Sequence, residues 1–156
     1  MTLLTAYRVD KRDFLEGEMI QSANQFPTLN PNGSERVEEV FELIRPALKP
    51  KRVGSLFLFE DLVVAKKHWS KMAHSKLYEI QIEASSIRHR GDMRLVDEAF
   101  GCTDQICMES CAYQYWSGIE RASPRVELLV TSASISRIIS KDQNERQRYL
   151  LNWPNT

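Results

Sequence analysis

The sequence has little of what usually announces a protein's task. It has no net charge: twenty-one basic and twenty-one acidic residues cancel across 156. No global field therefore recruits nucleic acid or an anionic membrane, although charged patches can still form locally. It has no apolar run near the eighteen or so residues that a membrane span needs. Met1–Val9 is too short and polar for a secretory signal. The expected setting is soluble and cytoplasmic, with no membrane partner. No phosphate loop of the form G-x-x-x-x-G-K-S/T, no G-x-G-x-x-G, no H-E-x-x-H and no G-x-S-x-G is present. Those absences exclude the commonest nucleotide, zinc-protease and serine-hydrolase readings.

Cysteine is also scarce. Cys102, Cys107 and Cys111 are three, an odd number clustered in one stretch, which argues against a disulfide framework. Their C-x4-C-x3-C spacing is not the C-x2-C of a zinc knuckle or ribbon, and no metal is expected. Cys107 and Cys111 share a helix face at i and i+4. His68 and His74 flank Trp69, and surface or capping roles outweigh catalysis for both.

What is present is a mixed α and β order in a single domain. Leu3–Val9 reads as a strand, followed by a charged turn and a short extended piece around Met19 in which Gly17 supplies a permissive backbone position. Residues 24–33, rich in proline and asparagine, read as loop. Ser34 is a candidate N-cap for a helix carrying Val37, Val40, Phe41, Ile44 and Leu48, with Pro46 and Pro50 to end it. Val53–Phe59 is the strongest strand signal, and Asp61 caps a second helix bearing Leu62, Ala65, Trp69 and Met72. Lys76–Ile82 is a further strand, and residues 83–101 are predicted irregular. Thr103 is predicted to cap a third helix through Trp116, with strands after it at Val126–Thr131 and near Ile135–Ile139. The fold class is α+β with about three helices. The domain is placed at residues 1–140, before a polar and then aromatic tail at 141–156 that folds back on its own core or meets a protein partner.

Within Arg125-Val126-Glu127-Leu128-Leu129-Val130 a single acid stands among aliphatic residues. An unpaired carboxylate is expensive to bury, so Glu127 either faces solvent or is held where its charge is used. Arg8, inside the first strand after Tyr7, either lies on an exposed edge or clamps a diphosphate bidentately. Phe57, Phe59, Trp69 and Trp116 read first as core aromatics, any of which could also wall a flat heterocycle.

In order and local pattern the chain resembles the ADP-ribosyltransferase superfamily, above all its small bacterial members such as the rifamycin-modifying transferases. The likeness runs from about Tyr7 to Ile139. It rests on Ala6-Tyr7-Arg8-Val9, Phe14 to Ile20, the strand and helix from Ser55 to Trp69, Lys76 to Ile82, and Val126 to Val130. The resemblance implies short strands in a split antiparallel sheet, NAD as substrate, no metal, and ADP-ribose transfer through an oxocarbenium-like transition state. It implies Glu127 as the acid stabilising that cation, with Arg8 and Ser55 completing the catalytic set. Arg8, Tyr7, Phe57, Phe59 and Trp69 would line the dinucleotide. Two positions depart from the family pattern. Phe57 stands where one branch carries Tyr, and Arg125 stands where a second acid often precedes the Glu. The acceptor stays open among macromolecules, nucleic acid included, and small molecules. The competing reading is a catalytically degenerate copy of the fold that serves as an interaction module, with Arg88-His89-Arg90 and Arg94, or Lys49-Lys51-Arg52, as local basic patches.

Overall fold

Two central strands buried at every residue, LFLF and VELLV, and outer strands with mixed burial organise this chain. A computed structural model gives its structure over residues 2–22 and 34–152. In chain order the elements are β1 (Leu3–Asp10), β2 (Met19–Gln21), α1 (Ser34–Ile44), β3 (Leu56–Phe59), α2 (Leu62–Lys71) and β4 (Lys76–Glu83). A single 3-10 turn (Ala84–Ser86) leads to β5 (His89–Asp92), α3 (Met93–Phe100), α4 (Gln105–Trp116), β6 (Val126–Val130), β7 (Ser132–Ser140) and α5 (Gln143–Asn152). The class is α+β, but five α-helices rather than three lie among the described residues.

The additional elements come from places where local signals are weak. Residues 83–101, predicted irregular, hold β5 and α3. Burying that helix depends on Leu95, Val96 and Ala99 packing against α4 and α1. The tail holds α5, a very polar helix anchored on α2. There the buried Arg146 donates to the Ser70 carbonyl at 2.6 Å, and Tyr149 lies 6.0 Å from Trp69. Asp104, one residue beyond the expected Thr103, caps α4 by accepting from the Cys107 amide at 2.8 Å. Asp61 caps α2 as expected, accepting from the Val63 and Val64 amides. Gly17 takes φ +86°, which an L side chain resists. The expected loop at 24–33 lies outside the described residues, as does anything N-terminal to Ser34 that caps α1.

All strand pairs are antiparallel, in the order β2-β7-β4-β1-β3-β6-β5. β1 and β4 pair along eight residues, whereas β1 and β3 share one partner pair, Tyr7↔Phe59. The sheet thus has a narrow seam between two half-sheets. One face curls on itself around Leu56, Leu58, Tyr78, Ile80, Leu128 and Val130, with no helix in that core among the described residues. On the other face α1, α3 and α4 cover β3 and β6 through Phe41, Phe57, Trp116 and Leu129, while α2 covers β1 and β4 through Ala65, Trp69 and Leu77. No helix among the described residues is long and apolar enough to cross a membrane.

Candidate functional site

The register decides which of the expected site residues can meet. Tyr7 pairs with Phe59, Phe59 with Glu127, and Glu127 with Gly91 on β5. Directly opposed residues share a sheet face, so these four form one row across the seam. Arg8, one residue along β1, alternates to the opposite face.

Glu127 has an exposure of 1 %, and its environment explains how the charge is tolerated. Arg52, from the turn before β3, is 4 % exposed and forms an ion pair with Glu127 while also donating to the Tyr115 hydroxyl at 2.7 Å. Tyr115 in turn donates to Glu127 at 2.6 Å. The other edge of the guanidinium grips Glu38 of α1 bidentately, at 2.7 and 3.1 Å. Phe57 and Tyr115 stack near this cation at 5.0 and 5.1 Å from their ring centres. The result is a sealed network of one cation, two carboxylates and a phenol. Burial pushes the Tyr115 hydroxyl well above its ordinary value and also raises Glu38, to which the nearby Glu127 charge adds. Gly91 makes the arrangement sterically feasible, since a Cβ there would stand 2.3 Å from the Tyr115 ring.

The other expected site residues are occupied elsewhere. Arg8, 13 % exposed at its side chain, bonds Asp10 at 2.9 Å and the Phe57 carbonyl at 2.9 Å. Asp10 is shared with Arg12, which lowers its pKa against the raising effect of burial. The Ser55 hydroxyl donates to the Lys51 carbonyl at 2.6 Å and makes no bond to Glu127. Trp69 is core, donating to the Ser75 carbonyl at 3.2 Å, and Tyr7 is half-buried in the same cluster. The structure does not gather Glu127, Arg8 and Ser55 around a shared space. The physical reason is that each is engaged by other partners: Glu127 by Arg52 and Tyr115, Arg8 by Asp10 and the Phe57 carbonyl, and Ser55 by the Lys51 carbonyl. Of the expected aromatics, Phe59 alone lines an open cleft.

That cleft, about 540 Å³, lies between α2 and the β5–β6 edge. Its wall includes Phe59, Val64, His68, Met93 and Val126, with Lys67, Lys71, Arg90, Arg94 and Arg125 around it and two carboxylates, Glu60 and Asp61. Several of these groups already have internal duties, Arg94 among them through its 2.6 Å bond to the Ser123 carbonyl. Arg90 pairs with Glu60 and Glu120, and Asp61 caps α2. Arg125 pairs with Asp97 yet keeps a buried Nε without a partner. Among the described residues neither Lys71 nor Arg94 has an ion-pair partner. Burial, and then the crowding of like charges, lowers both Lys67 and Arg125. His68 is lowered to about 4 by burial and the charges of Arg8, Arg125 and Lys71.

One buried acid shapes the cleft. Asp92, fully buried, accepts from the amides of Arg94 (2.9 Å), Arg121 (2.8 Å) and Arg125 (3.0 Å). It caps α3 and pins the loop before β6, so that Arg94 and Arg125 rise on the same wall. No family model and no curated protein matches the chain. The cleft therefore has to be read from its own chemistry: a partly apolar pocket with a flat phenyl wall, ringed by cations, suits an anion attached to a ring system. The sequence reading missed Lys67 and Lys71, although their i, i+4 spacing on α2 places them on one helix face. It also missed Arg52 as the partner of Glu127, for which the sequence holds no local signal.

Proposed function

We propose that this chain is an ADP-ribosyltransferase-like domain that binds a nucleotide-type ligand, phosphate first, in the cleft between α2 and the β5–β6 edge, without transferring ADP-ribose. The observation that carries the reading is the convergence of Lys67, Lys71, Arg94 and Arg125 on one cleft, close enough that Lys67 and Arg125 lose proton affinity. A phosphate entering there relieves that repulsion and gives the buried Arg125 Nε an acceptor. Phe59 and Val64 offer the apolar surface a base or nicotinamide ring needs. Glu127 acts as a structural acid: Arg52 and Tyr115 hold its Oε1, and its Oε2, which has no hydrogen-bond partner, is buried away from the cleft surface.

Titration calorimetry with NAD, ADP-ribose, ATP and a short oligonucleotide tests this. Micromolar binding of a mononucleotide or dinucleotide is expected, weakened about tenfold (about 1.4 kcal/mol) by Lys71→Ala and again by Arg94→Ala. No binding by any of the four would refute the assignment. Binding of the oligonucleotide alone, with a steep salt dependence, would move the protein to the nucleic-acid class.

ADP-ribosyl transfer is the second reading, favoured by the seam between β1 and β3 and by Glu127 lying one residue beyond Val126 of the cleft wall. It requires Arg52 to release Glu127 when the acceptor arrives. Release of nicotinamide from NAD together with ADP-ribose carried on an acceptor, by wild type and not by Glu127→Gln, would establish it.

A further inference from the structure

Cys102 and Cys107 form a disulfide, joining the α3–α4 turn to the first turn of α4 across Cα atoms 5.6 Å apart. It is a single local bridge, five residues apart in sequence, rather than the disulfide framework that the odd cysteine count argues against. The bridge does not account for Cys111, whose sulfur completes a group of three lying within 4.8 Å of one another. Cys107 and Cys111 are one helical turn apart, the spacing at which two side chains of one helix reach a single ion, as in the H-E-x-x-H zinc motif. Cys102 approaches from the preceding turn, where its sulfur lies 3.5 Å from the Glu98 carbonyl oxygen.

We propose that the reduced protein binds one zinc ion through Cys102, Cys107 and Cys111, with water as the fourth ligand, and that the Cys102–Cys107 disulfide is the closed, ion-free form of the same site. Zinc–sulfur bonds of about 2.3 Å place tetrahedral sulfurs about 3.8 Å apart. Cys111 therefore has little distance to cover, and the main movement is the parting of the two bonded sulfurs. Cys107 is exposed, which leaves one side of the ion open to water, while the buried Cys111 anchors the site against α3. Glu98, within electrostatic reach of Cys111, is held by Arg121 at 2.8 Å, so its negative charge is balanced beside the thiolates. Opening the site takes two electrons and two protons from a dithiol reductant, which closes to its own disulfide. Zinc then displaces the protons of the three thiols to water.

The full chain, reduced with a phosphine and freed of excess reductant, is titrated with Co2+ and then Zn2+. One Co2+ per chain is expected, with sulfur-to-cobalt charge-transfer absorption and the visible bands of a tetrahedral ion, both erased by Zn2+. Zn2+ should also slow alkylation of all three thiols at least tenfold. Cys107→Ser alters an exposed side chain and should fold normally, yet weaken Co2+ binding at least about tenfold, a loss that even an outer-shell partner can produce. Cys102→Ser should do the same, so the test needs no substitution of the buried Cys111. Absent charge-transfer absorption, or unchanged affinity in Cys107→Ser, would overturn the proposal and leave a local disulfide beside a buried thiol.

Discussion

Replacing Arg52 with Met tests the sealed network most severely. Met nearly matches the volume of the arginine stem, so packing changes little, but Glu38 and Glu127 are left facing each other without the cation that both grip. Breaking a buried pair by removing one partner costs about 3–5 kcal/mol, against well under 1 kcal/mol for an exposed pair. For a domain of this size each kcal/mol moves Tm by about 2–4 °C, so a fall of about 6–20 °C is expected. Urea unfolding monitored by tryptophan fluorescence gives the free energy directly, and an unchanged slope would show that the native state is otherwise intact. The variant also has a pH signature. With the cation gone, burial and the adjacent Glu127 charge hold Glu38 above its unfolded value without the lowering effect of Arg52. Its neutral form therefore supports folding below about pH 4, and that support is lost as pH rises through the raised value. Adding Glu38→Gln and Glu127→Gln should restore much of the loss, because a polar network without net charge is cheaper to bury. A cost below about 1 kcal/mol for Arg52→Met would refute the claim that Glu127 is structurally committed, and would return it to the catalytic reading.

Three further outcomes follow from the same geometry. His68, with a folded pKa of about 4 against 6.5 unfolded, contributes stability that is complete above pH 6.5 and fades as pH falls toward 4. His68→Gln should flatten that limb of the stability profile, and a bound phosphate should raise the His68 pKa seen by NMR. Gly91→Ala should destabilise by more than about 1 kcal/mol, read by thermal unfolding, because its Cβ meets the Tyr115 ring. Asp92→Asn keeps the shape but turns one acceptor into a donor facing backbone amides. It should cost about 1–3 kcal/mol and weaken ligand binding, since Arg94 and Arg125 lose their shared anchor.

What the sequence could reveal was local. Asp61 announces its helix because a cap acts within three residues, and Val53–Phe59 announces β3 because burial on both faces needs an aliphatic and aromatic run. The helix α3 was hidden because its apolar stripe occupies only eight residues and becomes meaningful only against α4 and α1. The α5 helix was hidden because its surface is almost wholly polar and its anchor is one arginine reaching the end of α2. Glu127 was recognised as a carboxylate that needs a partner, but that partner lies 75 residues away. The pleat then separated it from Arg8, a consequence of register that no motif spacing could convey. The cations of the cleft escaped notice for the same reason: they come from α2, α3 and the loop before β6, and meet only once Asp92 has drawn that loop down.

The single Tyr7↔Phe59 pair at the seam has a bearing on how this chain can be cut. One half-sheet is assembled from residues 3–21, 76–83 and 132–140, and the other from 56–59, 89–92 and 126–130. The backbone passes from one half to the other repeatedly, so each half is interleaved with its neighbour in sequence although they barely touch as strands. No single truncation releases a self-sufficient piece. Two fragments split in the turn between β6 and β7 should instead be obliged to find each other, with the long β4–β7 ladder as their zip.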